Sequence, residues 1–248
     1  MIPRIIHYCW FGGAPLSKLA EQCTASWHQH MPDWQYMRWD ETNFSIADAP
    51  AYVQEAYAAK KYAFVSDFVR LWALEQYGGV YLDTDVQTLK SFEPLLCDTA
   101  FIGLEESKAH FPGTCVMGCE PHCQWVCDML VLYDGISFIK PDGSLDMTTN
   151  VKRMGEVMMK ELRNDEENLD KYWETIQMIN KWGLRVYTHD YFSPITSTRV
   201  MRKTTNTYAI HYFAESWREG KRAAGWRDWT ITREVINALV QIKRKLFG

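Results

Sequence analysis

The sequence has no run of about 18 apolar residues, so no transmembrane helix is expected. Its start, Met1 to Trp10, lacks the basic region, long apolar stretch and small cleavage residues of an export signal, and it reads as a first strand. Positive charge is not in excess: 27 Lys and Arg against 31 Asp and Glu leave a net charge of −4, which argues against nucleic-acid binding as the main task. There is no internal repeat, low-complexity tract or linker-like segment, so residues 1–248 read as one continuous domain. C-x-x-C pairs and zinc-finger spacing are also missing. Cys115, Cys119, Cys123 and Cys127 recur every four residues with His110 and His122 nearby, but Gly118 and Pro121 interrupt any regular helix there. Buried free thiols are the better reading, and seven cysteines without an export signal suit a reducing cytoplasm.

What is present is a globular balance, 47% hydrophobic and 23% charged residues over 248 positions. Eleven Trp and thirteen Tyr exceed what a core alone needs. Their faces suit nucleobases and sugar rings as well as interiors. Residues 2–11 are strand-like up to Gly12-Gly13, 16–30 read as a helix, and 34–39 alternate as a second strand. That order predicts a βαβ unit and a parallel sheet in an α/β fold. Residues 51–77 read as helical and stop at Gly78-Gly79. Strands are expected at 80–82, 100–104, 182–187 and 207–212, and helices at 124–133, 150–162 and 232–247.

The apolar strand at 80–82 runs directly into Asp83-Thr84-Asp85. In an extended chain residues two apart project together, so Asp83 and Asp85 point one way and Thr84 the other. Two hard oxygen ligands at the carboxyl edge of an α/β sheet suit Mg²⁺ or Mn²⁺, ions that also bind substrate phosphates. A solvated turn carries the same three letters. The preceding helix, 62–77, is apolar nearly all round, yet it places Asp67 and Arg70 on one face. Either they form a buried ion pair at i, i+3, or both bond a polar ligand beside the aspartates. Gly78-Gly79 folds the helix straight back to Asp83, which favours the second reading.

The segments Ile-Ile-His-Tyr-Cys-Trp-Phe-Gly-Gly at 5–13, Tyr-Ala-Phe-Val-Ser-Asp-Phe-Val-Arg-Leu at 62–71 and Tyr-Gly-Gly-Val-Tyr-Leu-Asp-Thr-Asp at 77–85 resemble the DXD-containing sugar-transferase family, glycosyltransferase family 32. That family includes relatives of the yeast initiating α-1,6-mannosyltransferase and bacterial capsule or O-antigen enzymes, with clostridial toxin glucosyltransferase domains more distant. The resemblance implies a single GT-A domain: a Rossmann-like, mostly parallel sheet flanked by helices, with a C-terminal helix. Residues 1–105 would bind the nucleotide sugar, 106–230 would face the acceptor, and 231–248 would form the terminal helix. It further implies a nucleotide-diphosphate sugar donor, a UDP-sugar foremost, with Mn²⁺ or Mg²⁺ and retention at the anomeric carbon.

Carried over residue by residue, Trp10 would stack on the base, while Asp67 and Arg70 would hold the donor sugar and its phosphate. Asp83 would bond ribose or sugar and the metal's hydration shell, and Asp85 would ligate the metal. Tyr81 and Thr84 are counted with the nucleotide-sugar contacts. The late segment Ala209-Ile-His-Tyr-Phe-Ala-Glu-Ser-Trp217 is similar to the family's second metal segment. His211 would ligate the metal, and Ser216 and Trp217 would lie at the diphosphate. The segment departs from the commoner His-His-Trp-x-x-Ser-Trp form, which leaves the choice between Glu215 and Ser216 open. Asn150 either lies near the donor sugar or belongs to a helix start capped by Thr148 or Thr149.

The helix at 232–247 carries an apolar stripe beside Lys243-Arg244-Lys245. It either docks on anionic membrane, at the cytoplasmic face of the inner membrane, or packs on the domain. The function expected is a transferase passing sugar to a glycan or lipid-linked oligosaccharide in surface polysaccharide synthesis. The alternatives are a sugar-nucleotide-binding protein with reduced turnover and a metal-dependent phosphohydrolase. For the latter the sequence offers no further His/Asp cluster.

Overall fold

The computed structural model describes residues 1–105, 112–165, 175–196 and 199–214. The expected helix at 232–247, together with Glu215, Ser216 and Trp217, lies outside the described residues. Among the described residues no helix is long and apolar enough to cross a membrane.

The chain opens with strand β1 (Ile5–Cys9), helix α1 (Lys18–His30) and strand β2 (Gln35–Trp39). Ser17 starts α1 by accepting the Ala20 N–H at its side-chain oxygen. Strands β1 and β2 pair in parallel, Ile5 with Gln35 through Cys9 with Trp39, so the predicted βαβ unit is present. The predicted long helix divides into α2 (Ala51–Ala58) and α3 (Tyr62–Tyr77). Between them Lys60 adopts φ 57°, a left-handed conformation that no helix continues through. Helix α3 leads into β3 (Gly79–Leu82), parallel to β1.

Next come the short β4 (Val86–Thr88), β5 (Ala100–Leu104), β6 (Pro112–Cys119), α4 (Gln124–Leu130) and α5 (Asn150–Asp165). The described chain closes with β7 (Gln177–Ile179), β8 (Leu184–Tyr187), α6 (His189–Phe192) and β9 (Ala209–His211). The main sheet has seven strands in the order β2-β1-β3-β6-β5-β8-β7. β6 runs antiparallel to β3 and β5, and β7 antiparallel to β8; the other five strands share one direction. The parallel strands therefore deliver their carboxyl ends to one edge, where Trp10, Asp83 and Glu105 follow β1, β3 and β5.

Two hydrophobic clusters sandwich the sheet. One holds Tyr52, Phe64, Leu71, Tyr81, Met117 and Trp125, where α2, α3, α4 and α5 cover the sheet. The other holds Ile6, Trp27, Val80, Leu82, Val116 and Phe192, where α1 and α6 cover it. Alternation along β3 sends Tyr81 to the first cluster and Val80 and Leu82 to the second.

The turn from α3 into β3 is built by chemistry specific to its residues. Gly78 and Gly79 take φ 61° and 97°. A Cβ on Gly79 would lie 2.7 Å from the Ile5 carbonyl oxygen, so only glycine fits so close to β1. His7 Nε2 lies 2.8 Å from the Gly78 carbonyl oxygen, while its Nδ1 accepts the Trp39 indole N–H at 3.1 Å. That pair of bonds fixes a neutral imidazole with its proton on Nε2. Burial lowers the His7 pKa to about 4, against the opposing bond to Gly78.

Candidate active site

Helix α3 buries Phe64, Val65, Phe68, Val69, Leu71, Ala73 and Leu74 together with Asp67 and Arg70. An uncompensated charge in such a place costs several kcal/mol, so both groups need partners. Arg70 is 5% exposed, and its Nη2 reaches Asp67 Oδ1 at 3.0 Å and Asp83 Oδ1 at 3.3 Å. Its Nη1 donates to the carbonyl oxygen (2.7 Å) and hydroxyl (3.1 Å) of Thr114, and its Nε to the Ser66 carbonyl at 3.3 Å. The guanidinium also lies 4.6 Å from the Tyr81 ring centroid. Each nitrogen thus has a protein acceptor. The buried ion pair is what the geometry displays, and Arg70 extends it from the helix carboxylate to the motif carboxylate.

Asp67 completes its shell through α5. Its Oδ2 accepts the Asn150 backbone N–H at 2.9 Å, and its carbonyl oxygen accepts the Asn150 side-chain amide at 3.1 Å. Asn150 is 1% exposed. Of its two readings, the helix start is what the geometry displays, with the free N–H satisfied by Asp67 from another helix. Burial is the largest influence on Asp67 and raises its pKa to about 6, against the pull of Arg70 and the Asn150 N–H.

The motif itself is a turn, contrary to the extended geometry expected from the sequence. β3 ends at Leu82, and the Val86 N–H donates to the Asp83 carbonyl at 3.0 Å. The two carboxylates nevertheless converge, because the turn is pinned on both sides. Asp83 is bonded by the Tyr81 hydroxyl at 3.0 Å and Arg70, and its backbone N–H donates to the Cys115 carbonyl at 2.9 Å. Asp85 Oδ2 accepts the Ala214 N–H at 2.8 Å, and its carbonyl accepts the Tyr212 N–H at 3.1 Å. Tyr81 is 2% exposed and so acts on the site through Asp83. Thr84 is half-buried at the tip of the turn.

His211 joins from far along the chain because β9 pairs antiparallel with β4, setting His211 opposite Val86. Its Nε2 lies 3.4 Å from Asp85 Oδ1, and its Nδ1 lies 3.5 Å from Glu105 Oε1. Burial alone would lower the His211 pKa, but neighbouring Cys115 and Asp85 outweigh it and hold it well above the ordinary value. Burial likewise opposes ionisation of Asp85. His211 and the Ala214 N–H reverse that and hold its carboxyl below the usual range.

One ligand atom each from Asp83, Asp85 and His211 falls within 4.8 Å of the others. Two carboxylate oxygens and an imidazole nitrogen around one point fit a hard divalent ion such as Mn²⁺ or Mg²⁺. Trp10 sits half-buried at the end of β1, its indole N–H donating to the Ala14 carbonyl at 2.7 Å. Sequence reasoning missed Thr114 and Glu105. Thr114 lies on β6, which was hidden by reading its cysteines as a four-residue series, and Glu105 follows β5. The apolar and β-branched run Thr114-Cys115-Val116-Met117 was the available signal.

The seven-stranded, mostly parallel α/β sheet flanked by helices matches the GT-A type fold that the resemblance implied. Residues 17–102 match the family model of the glycosyltransferase sugar-binding region containing the DXD motif, so the resemblance drawn from the segments at 62–71 and 77–85 holds. Inositol phosphoceramide mannosyltransferase 1 of Schizosaccharomyces pombe is 32% identical over 111 residues, which cover 41% of this chain and 33% of the relative. Inositol phosphoceramide mannosyltransferase 3 of the same yeast is 31% identical over 105 residues, 41% of this chain and 29% of the relative. The chain thus spans about a third of the length of these curated relatives. Among solved structures, the PaToxG glycosyltransferase overlays with a TM-score of 0.50 at 16% identity, over 66% of this chain and 71% of that one. This last likeness is one of fold.

Proposed function

We propose that the chain is a metal-dependent glycosyltransferase that takes a sugar from a nucleotide-diphosphate sugar. The observation that carries this is the convergence of Asp83, Asp85 and His211 at the carboxyl edge of the sheet. Asp85 and His211 would ligate Mn²⁺ or Mg²⁺, with Asp83 bonding ribose or sugar and the ion's water. Such an ion supplies neutralisation of the negative charge that grows on the departing diphosphate.

The remaining work belongs to the chain's own groups. Arg70 holds Asp67 and Asp83 in one geometry and adds positive charge behind them. Asn150 keeps Asp67 aimed toward Arg70. The Trp10 face, at the end of β1, is available for a base. Transfer would proceed with retention, by attack on the face from which the diphosphate leaves. Trp217 and Ser216 would complete the diphosphate side.

The donor is a UDP-sugar in the reading preferred from sequence; the mannosyltransferase names of the yeast relatives make mannosyl donors the first competitor. The acceptor is a glycan or lipid-linked oligosaccharide of surface polysaccharide synthesis. The same relatives are named for inositol phosphoceramide, which favours a lipid-borne one. A cytoplasmic place, with residues 232–248 touching the inner membrane, belongs to the same proposal.

A panel of UDP- and GDP-sugars, read by thermal stabilisation with and without Mn²⁺, tests it. At least one donor should raise the melting temperature only when Mn²⁺ is present. No stabilisation by any donor would overturn the reading.

A further inference from the structure

We infer that a second, thiophilic cation site lies directly behind the proposed hard-ion site, formed by Glu105, Cys115 and His211, and that the two share one imidazole. One ligand atom from each of the three lies within 4.8 Å of the others. The donor set is carboxylate, thiolate and imidazole, the chemistry of Zn²⁺ with three protein ligands and an open position.

Three features show that the site is built. Cys115 is 2% exposed on β6, with its sulfur 3.6 Å from the Ser193 hydroxyl. Glu105 is turned inward over Gly113, where a Cβ would lie 2.8 Å from Glu105 Cγ and 3.2 Å from its Oε1, so a larger residue would crowd the carboxylate. His211 is 9% exposed, and its Nδ1 is wholly buried without a hydrogen-bond partner. Glu105 Oε1, at 3.5 Å from Nδ1, is long for an N–H···O bond. It matches the roughly 3.4 Å that separates nitrogen and oxygen ligands around a tetrahedral zinc ion.

The imidazole makes the two sites antagonistic. Nε2 faces Asp85 and Nδ1 faces Glu105. A neutral imidazole has one lone pair, on one nitrogen only. A cation on Nδ1 leaves the proton on Nε2, aimed at Asp85, and withdraws His211 from the Asp83–Asp85 side. By reciprocity, each ion weakens binding of the other.

Co²⁺ is the probe, because thiolate ligation gives a near-ultraviolet charge-transfer band that oxygen and nitrogen ligands alone do not. The full chain, reduced and titrated with Co²⁺ in the absence of nucleotide, should develop that band. Asp85→Asn should keep it. Cys115→Ser, close to isosteric, should lose it, and Glu105→Gln should weaken Co²⁺ binding at least about tenfold. Far-ultraviolet circular dichroism checks that each variant is folded, and Cys115→Ala provides a second thiol-free variant. No band in the wild type, a band surviving in a folded Cys115 variant, or its loss in Asp85→Asn would each overturn the site. The readout involves neither donor nor turnover, so it stands apart from the test of transferase activity.

Discussion

At the residue scale the decisive group is Arg70. Its partners, Asp67 and Asp83, are themselves only partly solvated, with side-chain exposures of 12% and 25%. Removing a guanidinium from such a set strands two carboxylates, which costs about 3–5 kcal/mol. The exposed pair Arg4–Glu93, with side chains 64% and 45% exposed, is screened by solvent and adds little. Urea denaturation should therefore separate Arg70→Met from Arg4→Met by several kcal/mol. Equal, small losses would mean that Arg70 does not organise the aspartates. Asp67 and Arg70 were legible as a special pair in the sequence, since charges in an all-apolar helix must be matched. Their third partner was not, because the Thr114 oxygens come from a strand 44 residues away.

At the element scale the α3–β3 turn couples the sheet to the site. His7 is neutral in the folded chain, with a pKa of about 4 against an ordinary value of 6.5. Between those values the unfolded chain binds the proton more tightly, so stability from this group is complete above about pH 6.5 and is lost as the pH falls toward 4. The loss amounts to about 3 kcal/mol over that window. In His7→Gln the amide can donate to Gly78 and accept from Trp39 without titrating. Wild-type stability should consequently fall more steeply than the variant's between those pH values in urea denaturation; parallel curves would contradict the bonding assigned to His7.

Periodicity and breakers placed α3 and β5 to the residue, β3 within one residue, α1 within two and β1 within three. They failed for β4 and β7, three residues each and too short to display alternation. β4 matters most, because its pairing with β9 is what carries His211 to Asp85. The sequence supplied His211 only as a candidate by likeness. Its position depends on a contact between segments more than a hundred residues apart, to which local pattern is blind. The motif's turn geometry escaped for the opposite reason: extended geometry was carried on through Asp85, three residues past the end of β3 at Leu82.

At the scale of the whole molecule, one sheet draws strands from both halves of the chain, β1, β2, β3, β5 and β6 from the first and β7 and β8 from the second. Its parallel strands bring Trp10, Asp83 and Glu105 to a common edge, and the β4–β9 ribbon closes that edge with His211. The central claim is that this edge holds a divalent ion in the service of sugar transfer. The most direct measurement is the Mn²⁺-dependent rate of nucleotide release from the donor selected by thermal stabilisation, compared between wild type and Asp85→Asn. The account predicts a fall of at least about a hundredfold in the variant. Near-normal, Mn²⁺-dependent turnover by Asp85→Asn would contradict it.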